Sequence, residues 1–342
     1  AAMLAQLYFN AEAYIGEDHF DECATICQDI IDGKYGYYEL DDDWFGPHDF
    51  YNNESPEIIW STPSEFNKLQ YNWFYADFYH YETYKYFGLD GGANNGAHLQ
   101  PSRKPTGEIY TEFKLGKPFE KFDNEDLRKK PYIYRGAGKY EGMFLVGRQE
   151  SPYGITRGTQ EYKGEVIYFV DRVARFKKIG IEAPDTASLS STMADGEENT
   201  GIRWVKVPQP NLADENLRNG ADNPVIRLAE IYYMLAECKM RAGDKRTAAN
   251  LINQVRARNF ANREDPNPVT ADNLDKYRMI DEWGIEFLGE GRRRTDLIRW
   301  NMFVTESWWD HKPSNSTHLC RFPVPQQAIS GNNALQQNPG YE

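Results

Sequence analysis

Residues 225–238 read VIRLAEIYYMLAEC, and this stretch decides the fold class of the chain. Its apolar residues recur at intervals of three and four and cover two faces of a helix. A helix with two apolar faces is buried on two sides. We predict that it begins at Pro224, with Asn223 as its cap. After a break at Gly243-Asp244, a second helix is expected from Lys245 to Arg258.

The second helix and an earlier pair extend this pattern into a scaffold. The second helix should bury Ala248, Leu251, Ile252 and Val255. The pair spans about 34 residues, which is the length of a tetratricopeptide unit. Residues 1–33 have the pattern of another antiparallel pair of similar length. The two pairs lie far apart in sequence and align poorly, so we predict a repeat-like helical scaffold with a large insertion.

The pair at residues 1–33 has its own predicted buried faces. The first helix should bury Leu4, Tyr8, Ala11 and Ile15. The second should bury Phe20, Cys23, Ala24, Cys27, Ile30 and Ile31. Residue 1 lies within the first helical pattern with no capping residue before it, so we expect that an N-terminal part is missing.

A charged block follows at residues 282–300, which read EWGIEFLGEGRRRTDLIRW. Glu282, Glu286 and Glu290 recur every four residues, which predicts a single helix face. Such a face is a candidate for acid–base chemistry or for metal binding. As many arginines as carboxylates are close in sequence, which favours a buried, salt-bridged helix junction instead.

The order of these segments, closed by FPVP at 322–325 and QNPGY at 337–341, resembles the SusD/RagB family of outer-membrane nutrient-binding lipoproteins. The resemblance is good from about residue 223 onward and looser before it. Trp283 stands where the family more often has a charged residue. The resemblance implies a mainly α fold: a tetratricopeptide-like α/α superhelical scaffold with a large loop-rich insertion containing short β-strands.

The predicted organisation has three parts that form one compact unit. Residues 1–33 are a helical pair of the scaffold, residues 34–223 a loop-rich aromatic ligand-binding region, and residues 224–342 a helical region with an extended tail. Within the middle part, short strands are expected at 164–170 and 203–207 because β-branched and aromatic residues are frequent there.

An aromatic window at residues 66–87 is the candidate ligand-binding segment. Eleven of its 22 residues are aromatic, too many to bury on one stripe of one helix. Sugars stack flat C–H faces on such rings, while amides bind the hydroxyls. Packing of the middle region against the helices accounts for most of the rings. We select as ligand-binding candidates Trp73, Tyr75, Tyr81, Tyr84, Asn94 and Asn95.

The resemblance also implies a function without covalent chemistry. It implies non-catalytic binding of oligosaccharide or polysaccharide at the cell surface, for delivery to a SusC-like TonB-dependent outer-membrane transporter. Membrane contact would come only through a lipid anchor outside this sequence, on a Gram-negative bacterium. Two alternatives remain: a peptide-binding RagB-like uptake component and a carbohydrate-active enzyme.

Composition and motifs argue against nucleic-acid binding and against a metal or cofactor site. The net charge of −13 argues against a broad nucleic-acid interface. Cys23 and Cys27 share a helix face, but no other residue completes a metal pattern, so we expect small buried side chains. Asp41-Asp-Asp43 is a possible calcium ligand set, although no loop motif supports it and no cofactor is expected. Asp126 and Arg128 lie in a segment that resembles a structural part of the family.

Overall fold

The computed structural model of the chain describes residues 1–64, 68, 98–136, 139–151, 154–158, 163–173, 196–207 and 221–341. Its helices are α1 (Ala2–Phe9), α2 (Ala11–Ile15), α3 (Phe20–Ile31), α4 (Pro118–Lys121), α5 (Leu228–Arg241), α6 (Lys245–Arg256), α7 (Lys276–Glu286), α8 (Arg293–Arg299) and α9 (Gln326–Gly331). Its strands are β1 (Ile58–Thr62), β2 (Ile133–Gly136), β3 (Lys139–Glu141), β4 (Phe144–Leu145), β5 (Gly147–Arg148), β6 (Glu150–Ser151), β7 (Gly154–Ile155), β8 (Tyr168–Phe169), β9 (Arg203–Trp204) and β10 (Asn223–Arg227).

The first predicted helix is broken in two at Asn10. The Asn10 side-chain amide donates to the Gln6 carbonyl at 3.0 Å, which competes with continuation of the helix. The predicted buried stripe is wrong at Leu4 and Ile15, which are exposed, and right at Ala11, which is buried; Tyr8 is half-buried. The buried residues of α1 are Ala2, Ala5 and Phe9. Two alanines on this face let α1 approach α3 closely.

Helix α3 follows the prediction. Cys23, Cys27 and Ile30 are buried against α5, and Cys238 of α5 belongs to the same core. The Cys23 and Cys27 sulfur atoms are 3.8 Å apart. Among the described residues, no group of three or more His, Cys, Asp or Glu side chains is arranged to hold a metal ion. The cysteines therefore act as small core residues.

Helices α5 and α6 form the predicted pair, but α5 begins later than expected. The four residues predicted to be buried on α6 are all buried. Asp244 caps α6 by accepting from the Thr247 N–H at 3.1 Å. Residues 223–227 are not helical; they form strand β10, which pairs antiparallel with β1. The prediction of a helix start at Pro224 is wrong, because pairing with a distant strand outweighs a local capping signal.

The middle region consists of short two-stranded sheets around an aromatic core. The pairs are β2 with β3, β4 with β9, β5 with β8 and β6 with β7. The strands predicted at 164–170 and 203–207 occur at the expected places but cover only two residues each. Phe144, Ile167 and Phe169 are among the buried residues of this second core.

Helices α7 and α8 join the two cores and add a third. Trp283 and Phe287 contact the helical core, while Ile285 belongs to the core of the middle region. Ile280 and Leu297 are buried in a third core. The prediction of a mainly α scaffold carrying a loop-rich insertion with short strands is confirmed at this level. The three-part division of the chain stays a prediction.

Candidate functional site

The six ligand-binding candidates, Trp73, Tyr75, Tyr81, Tyr84, Asn94 and Asn95, lie outside the described residues. The described residues show how the chain enters and leaves that segment. Asp222 accepts from the Ser61 hydroxyl at 3.0 Å and from the Ser64 N–H at 2.9 Å. At the other end, the Leu99 N–H donates to the Ile202 carbonyl at 2.8 Å. The residues on both sides of the aromatic window are therefore hydrogen-bonded to residues far away in the sequence.

One large aromatic side chain near this entrance faces solvent. Trp60 of β1 is 49% exposed, whereas Ile226 opposite it in β10 is buried. Trp60 lies six residues before the aromatic window in the sequence, at a place that sequence reasoning did not single out. The sequence feature that could have indicated Trp60 is a tryptophan within a short apolar stretch.

The charged block forms the centre of a buried ion cluster, which we call the Glu286 cluster. Its carboxylates belong to Glu57, Asp126, Glu286 and Glu290, and its cations to Arg128, Lys206, Arg227 and Arg258. Glu286 accepts from Arg128, Arg227 and Arg258, each at 2.9 Å. The four cations match the four carboxylates, so the cluster is internally neutral.

The cations of the Glu286 cluster hold the pKa of Glu286 and of Glu290 below the usual range of a carboxyl. Burial alone would raise the pKa of Glu286, but Arg227, Arg258 and Arg128 outweigh it, and the pKa falls well below its usual range. The same balance, with Arg227 and Lys206 as the main cations, holds the pKa of Glu290 low. A general acid needs a raised pKa, so these carboxylates are unsuited to that role.

His48 is the uncharged member at the edge of the Glu286 cluster. Its Nε2 lies 3.7 Å from a Glu290 carboxylate oxygen, and its side chain is buried. Burial lowers the pKa of His48 well below 6.5, and Lys206 and Arg227 act in the same direction against Glu290 and Glu286. His48 is therefore neutral near pH 7.

The predicted single face of glutamates exists only in part. Glu282 and Glu286 lie on α7, but Glu290 follows it in a turn bounded by Gly289 (φ +81°) and Gly291 (φ +75°). Glu282 binds two other arginines: it accepts hydrogen bonds from Arg256 at 2.8 Å and from Arg278 at 2.7 Å. The three carboxylates thus do not converge on a common point. The interpretation of this block as a buried, salt-bridged junction is confirmed.

A second buried network joins α5, α7 and α8. Glu237 accepts two hydrogen bonds from Arg299, at 2.8 and 2.9 Å, and one from the Trp283 indole N–H at 2.9 Å. Arg299 also donates to Asp296 at 2.9 Å. Trp283, the departure from the family pattern, therefore fills its position with a ring and still satisfies a buried carboxylate.

A cavity of about 470 Å³ lies between α7, α8 and the segment from residue 98 to residue 121. We call it the Arg293 cavity. Its walls include Gln100, Asp281, Ile285, Arg293, Leu297 and Trp308. Asp281 pairs with Lys121 at 2.5 Å on one side of it. Sequence reasoning did not predict this cavity, because its walls come from distant parts of the chain.

Two carboxylates of the acidic turn at residues 41–43, the possible calcium ligand set, have partners within the protein. Asp41 accepts a hydrogen bond from the Ser55 hydroxyl, and Asp42 pairs with Arg263. Burial raises the pKa of Asp41. Over the part of the chain that the structure describes, no helix is both long and apolar enough to cross a bilayer.

The sequence of the chain is similar to a known protein family and to named proteins. The model of the SusD family matches residues 56–320. The starch-binding protein SusD of Bacteroides thetaiotaomicron is 36% identical over 128 residues, which are 35% of this chain and 22% of that protein.

Solved structures share the fold at low sequence identity. A SusD superfamily protein from Bacteroides fragilis has a TM-score of 0.60 at 18% identity, covering 100% of this chain and 64% of its own. Surface glycan-binding protein A from Bacteroides thetaiotaomicron, in complex with laminarihexaose, has a TM-score of 0.54 at 18% identity. That match covers 98% of this chain and 63% of the other. The chain thus spans less than two thirds of these relatives.

Proposed function

This chain belongs to the SusD family, and on that premise we propose that the complete protein binds oligosaccharides at the cell surface without changing them covalently. The match of the family model over residues 56–320 is the observation that carries the proposal. One relative is named a starch-binding protein, and a protein of the same fold is solved with laminarihexaose.

The ion pairs of three buried glutamates favour a structural role for them over a role in hydrolysis. A glycosidase needs two carboxyls on either side of the bond, one of them with a raised pKa. Glu57, Glu282 and Glu286 are instead buried and paired with arginines. Their arrangement favours a rigid support for a binding surface.

We place the glycan on the aromatic middle of the chain. Trp73, Tyr75, Tyr81 and Tyr84 would stack on sugar rings, and Asn94 and Asn95 would bind hydroxyls. This proposal rests on their residue types and on their place between two segments that are hydrogen-bonded to distant residues. The exposed ring of Trp60 on β1 would extend the same surface toward the scaffold.

The family also suggests where the protein works and with which partner. We propose a surface-exposed lipoprotein of the outer membrane of a Gram-negative bacterium. It would close onto a SusC-like TonB-dependent transporter and hand over the bound oligosaccharide. Co-purification of the two proteins from native membranes tests this part separately.

The binding proposal is tested by affinity electrophoresis through gels that contain polysaccharides, together with an assay for released sugar. Migration of the complete protein should be retarded by at least one glycan, and no product should be released. Trp73→Ala and Tyr81→Ala should each weaken retardation by about tenfold in affinity, the usual loss for an aromatic anchor. Tyr14→Ala removes an exposed ring on α2 and serves as the matched control. Unchanged retardation of both variants would place the site elsewhere, and retention of oligopeptides alone would favour a peptide-binding protein.

A further inference from the structure

Arg293 is half-buried and differs from the buried arginines Arg256 and Arg299 nearby. Its Nη1 donates to the Ile280 carbonyl at 2.7 Å. Among the described residues, no carboxylate oxygen lies within 4 Å of its guanidinium, whereas Arg256 and Arg299 each have two carboxylate partners. Removing even part of a cation from water without a nearby anion is unfavourable. Burial accordingly lowers the pKa of Arg293, although Asp281 and Asp296 oppose that shift at longer range.

The wall of the Arg293 cavity is shaped to admit this guanidinium. A Cβ atom at Gly284 would lie 3.1 Å from Arg293 Nη1, which is closer than most Cβ contacts in proteins. Glycine at this position of α7 therefore lets the guanidinium lie against the helix backbone. The Nε and Nη2 groups of Arg293 have no hydrogen-bond acceptor among the residues that the structure describes, and Arg293 is one of the cavity walls.

The rest of the Arg293 cavity combines an apolar wall with polar groups. Ile285, Leu297 and Trp308 form the apolar part, and Gln100 and Asp281 add an amide and a carboxylate. The volume of about 470 Å³ lies within the roughly 300–1,000 Å³ typical of small-molecule sites. A ring that is apolar on its faces and hydroxylated at its edge fits this lining.

We propose that the Arg293 cavity binds a carboxylate-bearing sugar residue, a hexuronic acid, with its carboxylate on the Arg293 guanidinium. The planar fork of arginine matches a carboxylate with two parallel hydrogen bonds. The C–H face of the sugar lies on the apolar wall, and its hydroxyls bond to Gln100 and Asp281. The inference rests on the proposed glycan-binding function and specifies an acidic class of glycan. It also assigns a ligand to a part of the chain that sequence reasoning treated as framework.

The test is calorimetry of the complete protein with trigalacturonate as the acidic probe and laminarihexaose and soluble starch as neutral probes. Arg293→Gln should weaken trigalacturonate binding by about tenfold or more, because it removes hydrogen bonds to a charged group. Arg293→Lys should recover part of the loss. Arg246→Gln, which removes an exposed charge on α6, is the matched control and should bind as the wild type does.

A second variant keeps the inference testable if Arg293→Gln is unstable. Gln100→Ala leaves Arg293 in place and should weaken trigalacturonate binding severalfold. Wild-type protein that binds a neutral glycan but not trigalacturonate would overturn the inference and leave the proposed function standing. Equal trigalacturonate affinity in the wild type and folded Arg293→Gln would also overturn it. Absence of binding to every glycan would contradict the proposed function itself.

Discussion

Replacing Glu286 with glutamine should destabilise the fold strongly. Glu286 accepts charge-assisted hydrogen bonds from three arginines at 2.9 Å, and its side chain is buried. The substitution leaves the four cations of the Glu286 cluster with three carboxylates. Breaking a buried ion pair by removing one partner costs about 3–5 kcal/mol, so we expect a loss of that size in the free energy of unfolding.

The measurement is chemical unfolding followed by tryptophan fluorescence, with Glu264→Gln as the control for an exposed carboxylate. The control should unfold at nearly the wild-type denaturant concentration. Glycan affinity of folded Glu286→Gln should stay within about twofold of the wild type. A variant as stable as the control, or one that keeps its stability and loses glycan binding, would refute the structural role of this carboxylate.

Three further predictions concern stability. The pKa of His48 is lower in the folded protein than in the unfolded chain, so protonation of His48 favours unfolding. Below about pH 6.5, the free energy of unfolding of the wild type should therefore fall by up to about 1.4 kcal/mol per pH unit relative to His48→Gln. Unfolding curves between pH 5 and 7.5 check this, and parallel curves would contradict it. Trp283→Phe deprives Glu237 of a donor at 2.9 Å and should lower the free energy of unfolding by about 1–3 kcal/mol, measured in urea. Gly142→Ala should destabilise more than Gly147→Ala, because both have positive φ but only the Gly142 Cβ would overlap backbone carbonyls; equal melting temperatures would argue against that difference.

Local sequence patterns predicted the helices whose buried faces are visible within a short stretch of sequence. Helices α3 and α6 carry clean apolar stripes, and both have the predicted buried faces. The charge balance of residues 282–300 likewise indicated ion pairing, because four arginines and four carboxylates lie within this short stretch. The two glycines around Glu290 indicate a break in the helix, which is why Glu290 lies in a turn and not on α7.

Other features depend on distant partners and could not be read locally. Residues 223–227 have a capping residue and a helical proline, yet they pair with β1 from much earlier in the chain. Glu57 and Lys206 reach the Glu286 cluster from the middle region, and nothing in their neighbours indicated it. The Arg293 cavity depends in the same way on side chains brought together by folding. The aromatic window remains a prediction from residue types.

Calorimetric titration of the complete protein with a panel of oligosaccharides tests the central claim most directly. We expect saturable heat for at least one glycan, with the ligand recovered unchanged after incubation. Binding to none of the panel, or recovery of shortened products, would contradict the account.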